Sequence, residues 1–413
     1  MVNQQVKMKQ FVTEEKHISP TITDFETFCS YIDQQKPKLS QRMEALGKKD
    51  VFELNAKLFF RKDVSAPVYL QSSYPIIDLM FNLALLGGLY RKAGDDKADI
   101  YLEGTSLKLQ FDKLNNYEKY CFLLETFWTK FDFTEMMRWG RDNPDQFTTT
   151  FSESKPGQEL VKGSFSKRSD YDPLFSFISV FIHYFSFFGF CSFEELPMRN
   201  NKLGKYNDSI SRIFPTEFGV NICKVLNKLK LTLWSYPYLS IMGIYIKDED
   251  YKLTKVPFME QLKPLFPQNA LLKGVQPETI KPKKGNYTFK VMLEKSVWRK
   301  IKLSHKHTLE DLHNYIQEAF DFDNDHLYSF YMDGKRYSDD AYHSSFGDEP
   351  PFAYEAVIGK LELYKGKKIL YLFDYGDSWE FLVQLVTIDE NENEIKKPLI
   401  TEIKGDAPSQ YGY

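Results

Sequence analysis

Five of the chain's seven histidines, His305, His307, His313, His326 and His343, fall within 39 residues, and Asp323, Asp325, Asp374 and Asp377 belong to the same part of the chain. Imidazoles set among carboxylates can hold a divalent cation, or act as base and acid around a hydrolytic water. One such arrangement would place His313, His326, Asp374 and Asp377 around a single cation, with Trp379 walling the site, and would make the chain a metal-assisted hydrolase or nuclease. The spacing argues the other way. There is no H-E-x-x-H and no equally tight ligand pattern, so no metal set and no cofactor are assigned. His313 lies beside the apolar face of a helix, where a histidine reads as a hydrogen-bonded packing residue. The stretch "YLFDYGDSWEF", residues 371 to 381, poses the same choice between a reaction centre and a tight turn. Gly376-Asp377 reads as a hairpin turn with Gly376 at positive φ, and Asp374 as a carboxylate that bonds turn amides.

The elements that must position these residues are legible. Tyr287, Phe289, Val291 and Leu293 alternate with polar or smaller residues, and "VWRKIKL" follows across a Glu-Lys-Ser turn, which is a hairpin. Thr308 then reads as a helix N-cap with Asp311 three residues on, and Leu309, Leu312, Ile316 and Phe320 share one helical face. "LYSFYM" supplies a further strand and Asp333-Gly334 a turn. After an irregular acidic stretch from 338 to 356, "KKILYLFDY" and "WEFLVQLVTI" make a second long hairpin. Hairpin, helix and further strands predict a β-grasp-like α+β domain over 287–413. Trp298 and Arg299 alternate across their strand, so the indole shares a face with Lys300 and Lys302. Such a face can stack bases or bind a peptide, which makes Trp298, Arg299 and Trp379 candidate binding residues. The bland counterpart is a tryptophan covering the edge of the core.

Upstream, "LKPLFPQNALLKGVQPETIKPKKGN", residues 262 to 286, breaks all periodicity and reads as a linker. Residues 1–261 are mainly helical. Two stretches there share one layout of helix, glycine break, ribbon and helix. The first runs through "LALLGGLYRK", a "DIYLEGTSLKL" ribbon and "NNYEKYCFLLETFW"; the second through "FFGFCSF", a polar loop and "PTEFGVNICKVLNKL". That layout is compatible with two winged-helix-like units and with a plain helical bundle. The segment from 174 to 193 has no formally charged side chain over a membrane-spanning length. Ser176, Ser179, His183 and Ser186 nevertheless form one polar stripe, and acidic residues flank both ends. A buried Phe-rich helix is expected there, with no membrane span.

At 413 residues the chain is long enough for two or three domains. Its formal charge is only -3, but from Tyr287 onward there are 15 Lys and Arg against 23 Asp and Glu, leaving 39 against 34 upstream. A polyanion would therefore meet the N-terminal part. Cys29, Cys121, Cys191 and Cys223 are widely spaced and read as reduced core thiols of a cytoplasmic protein. No phosphate loop or nucleophile elbow is present.

The downstream motifs carry a resemblance. Trp298-Arg299, the Thr308 to Phe320 helix with His313, "HLYSF" at 326 to 330 and "DYGDSW" at 374 to 379 resemble the plasmid pRiA4b ORF-3-like family, whose members occur on plasmids and mobile elements. The resemblance implies a fold more than a reaction. Members of the family typically carry a histidine two residues after the motif tryptophan and an acidic residue a little later. Here those positions are Phe381 and Val386, so a site that needs that imidazole is not expected. The resulting expectation is a non-catalytic accessory protein of bacterial or mobile-element origin, whose N-terminal half meets a protein partner or DNA and whose C-terminal domain is an interaction module.

Overall fold

The computed structural model describes residues 11–95, 97, 99–133, 145–161, 180–195, 210–230, 234–235, 258–271, 273, 284–338, 340–347 and 350–411. The chain is of the mixed α+β kind, with helices predominating in its N-terminal part and antiparallel sheet in its C-terminal part. It divides into two compact units, Met1–Arg91 with Leu102–Pro277, and Lys92–Tyr101 with Glu278–Tyr413.

Upstream of residue 262 the two similar stretches share their hydrogen bonds as well as their layout. The helix Pro75–Leu86 ends before Gly88 at φ +67, a ribbon of Tyr90–Gly94 and Ile100–Gly104 follows, and Thr105 caps the next helix, Ser106–Phe111. Likewise the helix Val180–Phe187 ends before Gly189 at φ +77, strands Cys191–Glu195 and Ile210–Pro215 pair, and Thr216 caps Glu217–Leu226. In the first, the Thr105 hydroxyl donates to the Gly88 carbonyl at 2.7 Å and its N–H to Leu89 O at 3.0 Å. In the second, the Thr216 hydroxyl donates to Gly189 O at 2.7 Å and its N–H to Phe190 O at 2.9 Å. One threonine thus closes the ribbon onto the glycine turn and starts a helix.

One expectation is corrected here. "DIYLEGTSLKL" is not ribbon throughout, because the Thr105 hydroxyl accepts the amides of Leu107 and Lys108 and turns the chain into helix after Gly104.

The Phe-rich segment behaves as a core helix where it is described. Every residue of Val180–Phe187 is buried, and Phe181, Tyr184, Phe185, Phe187 and Phe188 make ring contacts with neighbouring aromatics. Ser176 and Ser179 lie outside the described residues. Among the described residues no helix is long and apolar enough to cross a membrane.

The C-terminal domain is a seven-stranded antiparallel sheet packed on one helix. Its elements are β1 (Asn286–Met292), β2 (Trp298–Ser304), α1 (Leu309–Phe320), β3 (Tyr328–Tyr331), β4 (Ala341–His343), β5 (Lys368–Phe373), β6 (Trp379–Asp389) and β7 (Leu399–Lys404), in the spatial order β7-β2-β1-β6-β5-β3-β4. Period-two alternation puts Phe289, Val291, Ile301, Phe330, Tyr371, Phe381 and Val383 on one face, where they bury Leu309, Leu312, Ile316 and Phe320 of α1. The Thr308 capping box is present with both of its bonds, Thr308 Oγ1 accepting from Asp311 N–H and the Asp311 carboxylate from Thr308 N–H.

Where α1 ends, Arg299 collects backbone carbonyls from three elements. Its guanidinium donates to Ala319 O at 2.7 Å, Trp298 O at 3.0 Å, Lys404 O at 3.0 Å and Gly405 O at 3.1 Å, and lies 4.6 Å from the centre of the Phe320 ring. Arg299 is 4 % exposed, so its guanidinium depends on these carbonyls in place of water. Replacing it by lysine keeps the charge but loses the planar fork and the ring contact. We expect Arg299→Lys to lower stability by roughly 2 to 4 kcal/mol in urea unfolding. A variant that unfolds at the wild-type midpoint would show that the carbonyls find other donors.

Candidate functional site

His326 brings Asp325 and Asp374 together at the loop Asp374–Ser378, between β5 and β6. Phe373 and Trp379 are the last cross-strand pair before this five-residue loop. Asp374 organises it. Its Oδ1 accepts the amides of Gly376 at 2.8 Å and Asp377 at 3.3 Å, its carbonyl accepts Ser378 N–H at 2.6 Å, and its own N–H donates to Leu327 O at 3.0 Å. The positive φ angles belong to Asp374 (53) and Ser378 (57), and Gly376 is not among the residues in that region. This corrects the two-residue turn expected at Gly376-Asp377. An aspartate tolerates the left-handed region because its carboxylate bonds locally, and here that carboxylate, not a glycine, makes the turn.

His326, 40 % exposed at its side chain, places Nε2 at 3.4 Å from Asp374 Oδ2 and 3.5 Å from Asp325 Oδ1. Asp325 also accepts from the hydroxyl of Tyr411. Asp377 is exposed and joins the group only through its amide.

His313 stands apart from these residues. It is 1 % exposed, with Nδ1 at 2.6 Å from the Tyr371 hydroxyl, Nε2 at 2.7 Å from Asn324 Oδ1, and its ring stacked on Tyr328 at 3.6 Å. Gln317 Nε2 donates to the same Tyr371 hydroxyl at 2.8 Å. Burial pushes the His313 imidazole down to about 4, with the Asn324 bond opposing the shift, so it is a neutral, two-bonded ring at neutral pH. Among the described residues no three His, Cys, Asp or Glu side chains gather as a group able to hold a metal ion.

The remaining candidates have structural partners. Trp298 is 8 % exposed, with the ammonium groups of Lys290 and Lys300 at 4.4 Å and 5.6 Å from its ring. Trp379 packs on Phe322 at 4.9 Å, and its buried Nε1 has no hydrogen-bond partner among the described residues. His307 accepts the Ser304 amide through Nδ1, while the carbonyls of His305 and His307 accept Gly359 and Ile358 N–H. Phe381 is fully buried against Phe320 at 4.9 Å, so apolar packing fills the place where an imidazole would stand. Sequence reasoning missed Ser329, which is within 2.6 Å of His343 Nδ1 and 2.5 Å of the Tyr375 hydroxyl. The signal lay in "HLYSF", where period two sets Ser329 on the opposite face from Tyr328 and Phe330.

A one-helix, antiparallel-sheet α+β domain, with its motif loop on the strand connection between β5 and β6, is the class of module that this geometry defines. Residues 286–410 match the family described as plasmid pRiA4b ORF-3-like protein, which identifies the C-terminal domain. A solved structure is also similar, that of a protein of unknown function from Methanosarcina mazei Go1. It is 26% identical, with 30% of this chain and 72% of that chain covered and a TM-score of 0.26. No curated protein matches the chain.

Two outcomes follow from these bonds. Asp374→Ala removes the acceptor of two loop amides from a left-handed position and should cost about 1 to 3 kcal/mol, whereas Asp374→Asn should cost clearly less. Gly376→Ala should be tolerated, since the added Cβ would meet only Asp374 Oδ1, at 3.2 Å. Thermal melts rank the three, and a Gly376→Ala protein less stable than Asp374→Ala would refute the assignment.

For His313 the folded value lies below the ordinary value of 6.5, so the unfolded chain takes up the proton first. Its stabilising contribution is complete above that ordinary value and is lost as pH falls toward about 4. Unfolding free energy should drop by on the order of 2 kcal/mol on this account by about pH 5. His183, which burial also depresses, to about 3, adds a loss of the same sign. Urea titrations at several pH values check this, and His313→Gln should flatten the slope.

Proposed function

We propose that the chain is a non-catalytic accessory protein that acts by binding a macromolecular partner. The observation that carries this reading is that the side chains best suited to chemistry are already committed internally. His313 holds Tyr371 and Asn324, Asp374 holds its loop amides, and Arg299 holds four carbonyls. A general base or metal ligand must keep a lone pair for its substrate or ion; both ring nitrogens of His313 and Oδ1 of Asp374 are already engaged, and the Arg299 donors are taken by backbone oxygens.

In this proposal residues 1–261 form the partner-binding region, with the two threonine-capped repeats as winged-helix-like units, 262–286 the linker, and 287–413 a β-grasp-like interaction module. The excess of Lys and Arg, 39 against 34 acidic residues upstream of Tyr287, favours the N-terminal region as the part that meets DNA. A bacterial, mobile-element setting belongs to the same reading and is supported by the plasmid named in the family description, and a cytoplasmic location is supported by the four buried, free cysteines. Purified protein should bind duplex DNA at low ionic strength, with affinity falling at least about tenfold as salt rises from roughly 50 to 200 mM. Absence of salt-dependent binding would exclude DNA and leave a protein as the partner.

A further inference from the structure

A helix enters a DNA groove with an exposed face, and the helices that precede the two ribbons have no basic one. Val180–Phe187 is buried along its whole length, and Pro75–Leu86 exposes, wholly or in part, only Asp78, Asn82, Leu85 and Leu86. The ribbon arginines are already paired, Arg91 with Glu103 at 2.6 Å, and Arg212 with Glu159 at 3.2 Å and Glu194 at 3.6 Å. Phosphates must therefore be met elsewhere.

Cations are concentrated between the helices Glu15–Gln35 and Lys48–Asn55. From 36 to 49 the chain carries Lys36, Lys38, Arg42, Lys48 and Lys49 against one acidic residue, Glu44, and all five basic residues are exposed. The first helix stops at Lys36, which takes a left-handed conformation at φ 43. Leu39 then pairs with Leu46 in an isolated antiparallel bridge, which brings the two basic ends of the stretch together. Inside it, Ser40 N–H donates to Ala45 O at 2.9 Å and Glu44 N–H to Ser40 O at 2.8 Å. Pro37, Leu39 and Leu46 are buried, and Gln71 Oε1 accepts the Leu46 amide at 2.9 Å. Lys49 shares its charge with Glu53, 3.7 Å away, whereas Lys36, Arg42 and Lys48 make no ion pair among the described residues. A loop closed and anchored in this way holds its charges in place, so a polyanion that binds them pays little for ordering the chain.

We propose that the exposed face of residues 36–49 is the surface by which the chain grips the phosphate backbone of duplex DNA. The inference rests on the DNA reading above and supplies the surface that reading lacks. Ammonium and guanidinium groups on one short loop are suited to phosphate oxygens, which position a protein on the duplex and carry no base sequence. Binding through this loop is therefore strongly salt-dependent and indifferent to sequence. A smaller basic group, Lys224, Lys228 and Lys230, lies at the end of the helix Glu217–Leu226 and provides a comparison of equal charge.

The test is a fluorescence-anisotropy titration of a labelled duplex of arbitrary sequence with the full chain, at salt from about 50 to 200 mM. The triple variant Lys36→Gln, Arg42→Gln, Lys48→Gln should bind at least about tenfold more weakly than wild type, with the slope of log affinity against log salt shallower by about 2 to 3, since each lost phosphate contact removes about 0.9. The variant Lys224→Gln, Lys228→Gln, Lys230→Gln changes the net charge equally and should keep the wild-type slope. If the wild type binds but the loop variant keeps its slope, or the comparison variant loses as much, the inference is overturned while the DNA reading stands. If the wild type does not bind duplex at all, or binds only phosphatidylserine vesicles, both fall. Should the triple variant fail to fold, Arg42→Gln with Lys48→Gln decides, with a slope shallower by about 1 to 2.

Discussion

A guanidinium buried among carbonyls is the constraint on which the C-terminal domain depends. Arg299 sits at the point where β2, the end of α1 and the end of β7 meet, and each offers backbone oxygen to its guanidinium. A helix always ends with unsatisfied carbonyls, and a strand at the edge of a sheet leaves its own. One fork of N–H donors serves both, and the Phe320 ring beneath it shields the charge. Without that arginine the end of α1 and the end of β7 would lose their common tie to β2.

The same economy governs the motif loop. A sheet whose one face buries α1 has to make its turns at the ends of β5 and β6, where amides converge without strand partners. Asp374 answers them with one carboxylate, and His326 and Asp325 extend the polar group toward Tyr411. Residues that look reactive in a list of side chains are thus used to neutralise backbone polarity that the fold would otherwise strand. His313 follows the same logic inside the core. Burial denies it a charge, and two hydrogen bonds compensate its ring nitrogens.

In the helical N-terminal part, repetition is achieved with hydrogen bonds more than with sequence. The two ribbons differ in length and composition, yet Thr105 and Thr216 make matching bonds to Gly88 and Gly189. A threonine that caps a helix and also grips the preceding turn makes the ribbon's outer length irrelevant, so the intervening loop is free to vary.

Period-two and helical patterns determined much by themselves. They specified the β1–β2 hairpin, the Thr308 cap and apolar face of α1, the long β5–β6 hairpin, and the buried character of Val180–Phe187, because burial of one face leaves its mark on every second or every third to fourth residue. The family of the C-terminal domain was legible for the same reason, as motifs at fixed spacing within those elements. What the tertiary structure alone decided was the fate of each polar side chain. Nothing in local pattern distinguishes Arg299 at a surface from Arg299 under four carbonyls, or says that Asp374 and not Gly376 takes the positive φ. Nor does it reveal that Ser329 meets His343 and Tyr375. Those outcomes depend on which strands become neighbours, and hydrogen bonds between residues that are distant in sequence have no periodicity to read.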